Sequence, residues 1–419
     1  MTLPVKDLVL KYALAAKKAA HELSIMSAED KNKILLNIAD ALEENSEKIL
    51  FHNAIDVDAA KQSGLDAALI DRLTLTAERV KAMAKGVRDV AKQADPIGEI
   101  ISENEHDGLS IKKVRVPLGV ICMIYESRPN VTADSAALCL KAGNAVILKG
   151  GSEAINSNKI ISGIIVDAGV KAGLPQGAVQ FIDSSDREII LNLIKLNGMI
   201  DLIIPRGSEN LITFVREHSS VPVLSHGKGL CHVYIDKNAS VEMATDIAFN
   251  AKCQRAGVCN AMETLLIHKD IAPKILPKLC GLYASAGTEL RGCNQTQVIV
   301  PNIIPATEED WDSEYHALIL SVKIVNSLEE AISHVNIYGS QHSDAIVTND
   351  ENAAEKFIKE VDSSAVFHNA STRLHDGSVF GLGAEIGIST DKLHARGVMG
   401  VRELTSSKYI VRGDGNIRK

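Results

Sequence analysis

The sequence predicts an α/β fold built on a doubly wound parallel sheet, and three observations carry that expectation. Short apolar runs at 120–125, 145–148, 178–182, 202–204 and 221–224 alternate with alanine-rich or amphipathic segments at 132–141, 156–171, 187–196 and 209–217. Strands separated by helices of ten to fifteen residues are the signature of βαβ units. Only 4% of residues are aromatic while Ala, Ile, Leu and Val are plentiful, which suits helices packed on buried aliphatic strands better than an all-β sandwich. The chain has 419 residues, 46% hydrophobic and 23% charged, enough to bury large cores without metal or disulfide staples.

The elements follow in order. The first hundred residues read as helices: Ser27-Ala28-Glu29-Asp30 is a capping-box-like start, and Ile34, Ile38, Leu42 and Ile49 recur at helical spacing. A strand is expected at 109–116, ahead of the βαβ region. After an apolar run at 230–235, Ser240 can cap a helix through Lys252. A Gly-containing loop then carries Cys259, with a strand at 263–268, a helix at 271–282 and further alternation to about Phe367. The tail 401–412 reads as a strand. Lying outside the main alternation, it and 109–116 would leave edges that a second copy could cover. The domain reading is a dinucleotide-binding domain at 1–98 and 119–225, a catalytic domain at 226–396, and a small β oligomerisation element at 99–118 and 397–419.

Bulk chemistry excludes several classes. The net charge is −8 with both signs interleaved, so no basic face for nucleic acid is expected. No apolar stretch approaches the roughly 20 residues of a membrane span, and charges interrupt the apolar runs at the start. The seven cysteines are irregularly spaced with no C-x-x-C, and the thirteen histidines form no H-E-x-x-H, so no metal site is expected. A cytoplasmic, reducing setting is the expectation.

The chemical signal lies in Asn250-Ala251-Lys252-Cys253-Gln254-Arg255-Ala256-Gly257-Val258-Cys259-Asn260-Ala261. A thiolate nucleophile needs a loop, nearby positive charge and N–H groups for an oxyanion. Cys259 follows a Gly at a helix-to-strand junction, with Lys252 and Arg255 upstream. Cys253 reads as a small packed hydrophobe. From chemistry alone a lone cysteine is more often structural. No G-x-G-x-x-G follows a strand; Gly381-Leu382-Gly383-Ala384-Glu385-Ile386-Gly387 has the wrong spacing and reads as a loop. Arg206-Gly207-Ser208, at a strand end opening a helix, offers N–H groups to a pyrophosphate or is an ordinary turn.

Residues 250–266 resemble the nucleophile segment of the γ-glutamyl phosphate reductase family. Three other stretches share the resemblance: 114–131 with Tyr125-Glu126-Ser127-Arg128-Pro129-Asn130, 331–346, and 380–400 with His394-Ala395-Arg396-Gly397. Together they span nearly the whole chain. Ala256 and Val398 stand where that family usually has proline and Val335 where it has isoleucine; none of these removes a chemical group. The resemblance implies an aldehyde-dehydrogenase-like fold and NADPH-dependent reduction of L-glutamyl 5-phosphate to L-glutamate 5-semialdehyde, in proline biosynthesis. Cys259 would be the nucleophile, with Asn250 assisting at the oxyanion. It implies that Lys149, Gly150, Ser152, Gly207 and Ser208 hold NADPH and that Glu314 holds the nicotinamide ribose. NAD-preferring relatives carry an acid where Ser152 stands, and a carboxylate there would repel a 2′-phosphate. Arg128, Arg255 and Arg396 are candidates for substrate phosphate or carboxylate, or ordinary ion-pair partners. His334 and His342 read as structural. A homo-oligomer is expected, and glutamate 5-kinase is a candidate partner. Leu224 occupies the place of the glutamate base of hydrolytic aldehyde dehydrogenases, with His226 two residues on as the substitute to consider.

Overall fold

A computed structural model describes residues 4–225 and 227–418, which divide into two units: 4–225 with 381–387 and 399–418, and 227–380 with 388–398. The first begins with five helices, α1 (Val5–Ser24), α2 (Ala28–Glu44), α3 (Ser46–Gln62), α4 (Ala67–Leu73) and α5 (Ala77–Lys92). Ser27 caps α2, its Oγ accepting the Asp30 N–H at 3.1 Å, and Ile34, Ile38 and Leu42 form the buried stripe. Asn45 ends that helix and Ile49 is buried from α3, so the periodic run belongs to two helices, not one.

A hairpin follows. Strand β1 (Ile100–His106) pairs antiparallel with β2 (Leu109–Pro117) through Asp107-Gly108, both at positive φ (50° and 75°), the conformation a two-residue hairpin turn demands. β1 is exposed throughout and its IISENEH sequence has no apolar alternation, so it is absent from the pattern reading. Then come β3 (Val120–Tyr125), α6 (Asn130–Lys141), β4 (Ala145–Gly150), α7 (Ile155–Lys171), β5 (Val179–Phe181), α8 (Glu188–Leu193), β6 (Leu202–Arg206) and α9 (Glu209–His218). The four strands form a parallel sheet in the order β5-β4-β3-β6. The chain winds outward from β3 and returns to its other side, so the switch point lies between the ends of β3 and β6. The apolar run at 221–224 is not a strand. Pro222 has no N–H to give a ladder; its carbonyl and the Leu224 N–H bond Ile203 at 2.9 and 3.0 Å, leaving a single bridge beside β6.

The second unit holds β7 (Cys231–Ile235), α10 (Val241–Cys253), β8 (Met262–His268), α11 (Ala272–Ser285), β9 (Glu289–Gly292), α12 (Asn294–Ile299), β10 (Ile304–Pro305), α13 (Glu308–Trp311), β11 (Ile319–Val325), α14 (Leu328–Tyr338), β12 (Ser343–Val347), α15 (Glu351–Glu360) and β13 (Ala365–His368). Seven parallel strands run β10-β9-β11-β8-β7-β12-β13. Alternation divides their side chains between two cores: Val233, Ile235, Leu265, Ile267, Ala345 and Val347 meet α10 and α11, while Tyr234, Leu266 and Ile346 meet α14 and α15. Both faces are covered, which is why these strands read as continuous apolar runs. Ser240 precedes α10, but its side chain makes no capping bond.

Strands β14 (Gly387–Ser389) and β15 (Gly397–Met399) make a short two-stranded sheet. Finally β16 (Thr405–Arg412) pairs antiparallel with β2 over its whole length. The two strands expected to need a partner thus pair with each other, and the outer edges are those of β1 and β16. Among the described residues no helix is long and apolar enough to cross a membrane.

Candidate active site

The nucleophile segment leaves α10 at Cys253, turns through 254–261 and enters β8. Burial of both ends fixes it: α10 packs on the sheet through Ala244, Ala248 and Ala251, and β8 is a central strand buried along its length. Cys259 is half-exposed at the turn that closes with Ala261 N–H on Val258 carbonyl (3.0 Å), and Arg255 stands exposed in the same loop. Asn250 is exposed in the last turn of α10, its carbonyl accepting the Gln254 N–H. Cys253 is half-buried, 3.5 Å from the Thr288 hydroxyl, and burial pushes its thiol up.

From below, Cys231 donates its S–H to the Cys259 carbonyl at 3.2 Å, and burial holds that thiol far above its ordinary value. Gly229 lies against the same residue. A β-carbon there would sit 2.5 Å from Cys259 Cα, 2.4 Å from its carbonyl oxygen and 2.6 Å from Glu314 Oε1, so the glycine lets the Cys259 backbone and a carboxylate close on one point. Its neighbours are pinned: Lys228 pairs with Asp312 at 2.9 Å and Leu230 N–H bonds Ser340 Oγ at 2.9 Å. Glu314 is therefore not the solvated surface acid its bare sequence context suggests. Its side chain is 11% exposed and 3.4 Å from His316 Nε2. His316 holds a positive φ of 53°, and its N–H reaches Glu263 at 3.4 Å.

Lys252, expected to lend positive charge to Cys259, is wholly buried against Glu263. Desolvation outweighs their attraction, pushing Glu263 up to about 7 and Lys252 down. The nearby cation is instead Arg373, which the sequence reading missed. It sits half-buried on the 3-10 turn Thr372–Leu374, donating from Nε to Gln254 Oε1 at 2.9 Å and from Nη1 to Asn260 Oδ1. Burial lowers its pKa first, and attraction to Cys259 opposes that. Two more bonds stitch this turn to the loop: Thr372 Oγ1 to Asn260 carbonyl (2.8 Å) and Asn260 Nδ2 to His375 carbonyl (3.0 Å). No local pattern announces such a residue, because it reaches Cys259 through the fold alone.

Arg396 is committed elsewhere in this unit, giving Nη1 to Asp362 Oδ1 at 2.8 Å and Nη2 to the Asp362 carbonyl at 2.9 Å; this is the ion-pair alternative left open above. His334 is buried, 3.3 Å from Lys323 Nζ, and burial, then His232 and Lys323, push it down to about 2. His342 packs beside Ser343 Oγ at 2.7 Å. His226 lies outside the described residues.

In the first unit the predicted cofactor residues cluster at the strand ends around the switch point. Lys149, next to last in β4, is almost fully buried, its Nζ bonding the Gly150 carbonyl at 2.7 Å, and burial lowers its pKa against the pull of Glu153. Ser152 stands exposed and opens a 3-10 turn whose last residue, Ala154, is buried. Ser208 caps α9. Its N–H, offered to a pyrophosphate on the sequence alone, donates here to Glu126 Oε2 at 2.6 Å, and a β-carbon on Gly207 would fall 2.3 Å from that oxygen. Likewise the Ser127 N–H donates to Glu153 Oε1 at 2.6 Å. These donors are anion sites, held by the chain's own carboxylates. Arg128 is half-buried in the same loop after β3, its carbonyl accepting the Val131 N–H. Leu224 is buried and carries no proton acceptor. Among the described residues no cluster of three or more His, Cys, Asp or Glu could hold a metal ion.

Known proteins place this arrangement. The aldehyde dehydrogenase family model matches residues 6–299. A γ-glutamyl phosphate reductase of Caldanaerobacter subterraneus is 54% identical over 411 residues, covering 97% of this chain and 99% of that relative. The crystal structure of γ-glutamyl phosphate reductase from Thermotoga maritima superposes with a TM-score of 0.95 at 44% identity, covering 98% of this chain and all of that one. An acetylating aldehyde dehydrogenase of Geobacillus thermoglucosidasius shares the fold at 18% identity and a TM-score of 0.72, over 99% of this chain and 98% of that one. The fold is aldehyde-dehydrogenase-like, and the chain belongs to the γ-glutamyl phosphate reductase family.

Proposed function

We propose that this chain catalyses the reaction for which its family is named, the NADPH-dependent reduction of L-glutamyl 5-phosphate to L-glutamate 5-semialdehyde in proline biosynthesis, with Cys259 as nucleophile. The observation that carries the proposal is Cys259 itself, half-exposed on a braced loop in a chain matching the family end to end.

The thiolate attacks the acyl carbon; the C–S bond forms, the C–O bond to phosphate breaks, and inorganic phosphate leaves with its electron pair. The Cys259 N–H and Asn250 are the proposed donors to the oxyanion, and Arg255 a holder of phosphate. NADPH, when bound, supplies the hydride that reduces the thioester to a thiohemiacetal. Expulsion of the Cys259 thiolate then releases the aldehyde. The strand-end donors of the first unit fit an anionic dinucleotide, since two of them already hold carboxylates. Lys149, Gly150, Ser152, Gly207 and Ser208 would hold its adenosine and pyrophosphate, and Glu314 the nicotinamide ribose. The outer edges of β1 and β16 are the proposed contact between copies in a homo-oligomer.

Hydrolytic aldehyde oxidation is the competing chemistry, and Leu224 speaks against it: water attack would lose a general base, typically 10²–10⁴-fold. The test is NADP reduction with glutamate semialdehyde. We expect strict dependence on phosphate or arsenate, loss of about 10²-fold or more in Cys259→Ser, and near-normal rates in Cys253→Ser. Fast turnover without either acceptor would favour the hydrolytic reading, and its loss in His226→Ala would identify the base.

A further inference from the structure

We infer that Arg373 is a catalytic residue of this site, its guanidinium stabilising the Cys259 thiolate and receiving the phosphate that the thiolate displaces. The inference rests on the proposed role of Cys259 and adds a group to it.

Geometry carries the assignment. Arg373 spans the nucleophile loop, one guanidinium nitrogen on Gln254 at the start and another on Asn260 just past the cysteine. Both anchors are neutral amide oxygens, so they orient the fork without cancelling its charge. Among the described residues no carboxylate lies within ion-pair distance of it, in contrast to Arg396 on Asp362 and Lys252 on Glu263. The turn beneath is held rigidly, because the buried Asn260 is bonded through both its side chain and its carbonyl to the segment 372–375. A planar guanidinium anchored at two points pre-organises a charge without further loss of side-chain entropy.

The surrounding charges leave this role open to few groups. Arg255 stands exposed on the loop and repels Arg373, while Asp376 attracts it. Glu314 approaches the Cys259 backbone across Gly229, so a thiolate formed there would face a like charge. A thiolate beside that carboxylate needs a compensating cation, and Lys252 is spent on Glu263. Arg373 supplies it. After acyl transfer the same fork faces a departing phosphate, whose geometry it matches in bidentate fashion.

The test is the rate at which iodoacetamide alkylates Cys259, followed at the peptide level against pH, together with the phosphate KM in the reverse reaction. Arg373→Gln should move the thiolate titration up by about one pH unit, a roughly tenfold loss of thiolate at neutral pH, and raise the phosphate KM about tenfold. Arg373→Lys should recover most of the titration shift but not the phosphate KM. A folded Arg373→Gln with the wild-type titration and phosphate KM would overturn the inference. If that variant does not fold, Gln254→Leu removes one anchor with the charge kept. It should shift both readouts in the same direction by a smaller amount, and no shift would be equally contrary. If alkylation of wild-type Cys259 leaves phosphate-dependent activity intact, the proposed nucleophile falls instead.

Discussion

Gly229 and Cys259 are packed backbone to backbone: a β-carbon on the glycine would reach within 2.4 Å of the cysteine carbonyl oxygen. The Gly229→Ala methyl would also strike Glu314 Oε1, so neither the nucleophile nor the carboxylate could keep its place. We expect Gly229→Ala to cost about 1–3 kcal/mol of stability as overpacking and to lower kcat/KM by about 10²-fold or more. Near wild-type kinetics in a folded variant would show that the contact is not needed for positioning.

Glu126 sits on the N-terminus of α9, where its carboxylate takes the Ser208 N–H. A dinucleotide pyrophosphate at that N–H would have to displace it, against like-charge repulsion. Glu126→Gln should therefore bind NADPH about three- to tenfold more tightly in a titration of intrinsic fluorescence. Weaker binding would mean that Glu126 works with the cofactor instead of against it.

Ser152 stands exposed one residue beyond the Gly150-Gly151 turn. A carboxylate there would oppose a 2′-phosphate, so Ser152→Glu should weaken NADPH by about 1–3 kcal/mol while affecting NADH less. Steady-state kinetics with both cofactors measure this. An unchanged ratio would remove Ser152 from cofactor choice.

Asp310 braces the segment that leads to Glu314. Burial would raise its pKa, but bonds from Thr307 N–H (2.7 Å), Arg291 (2.7 Å), Tyr315 OH (2.8 Å) and the Thr307 hydroxyl outweigh that and pull it down to about 2. A depressed acid contributes stability that is complete above its unfolded value, near 3.8, and lost as pH falls from about 4 to about 2. Asp310→Asn should lower Tm at pH 7 and flatten the fall of Tm between pH 4 and 2. An unchanged acid slope would place the acid sensitivity elsewhere.

The legibility of this fold followed burial. Strands such as β3, β4, β7 and β8 lie inside two covered faces, so their apolar runs stand out in the sequence, and α10 with its loop could be read from a local motif. β1 could not be, because a fully exposed edge strand owes its pairing to the Asp107-Gly108 turn and not to apolar alternation. The run at 221–224 misled for the opposite reason: Val221 and Leu224 are buried, but Pro222 prevents a ladder. At the site, Cys259 stood out through its loop motif, and Glu314 only through the family resemblance. Arg373, Gly229 and Glu126 did not, since each acts through a contact between segments distant in sequence. Lys252 was misread because proximity in sequence says nothing about the buried Glu263 that takes its charge.

The central claim is that Cys259 carries the acyl group, and the most direct measurement is mass spectrometry of the protein after mixing with glutamate semialdehyde and NADP in phosphate-free buffer. With no acceptor and no base at Leu224, the account predicts a glutamyl adduct on the Cys259 peptide. Phosphate or arsenate should discharge it, and Cys259→Ser should lack it. An adduct on another residue, or rapid NADPH formation with no adduct at any time, would contradict the account.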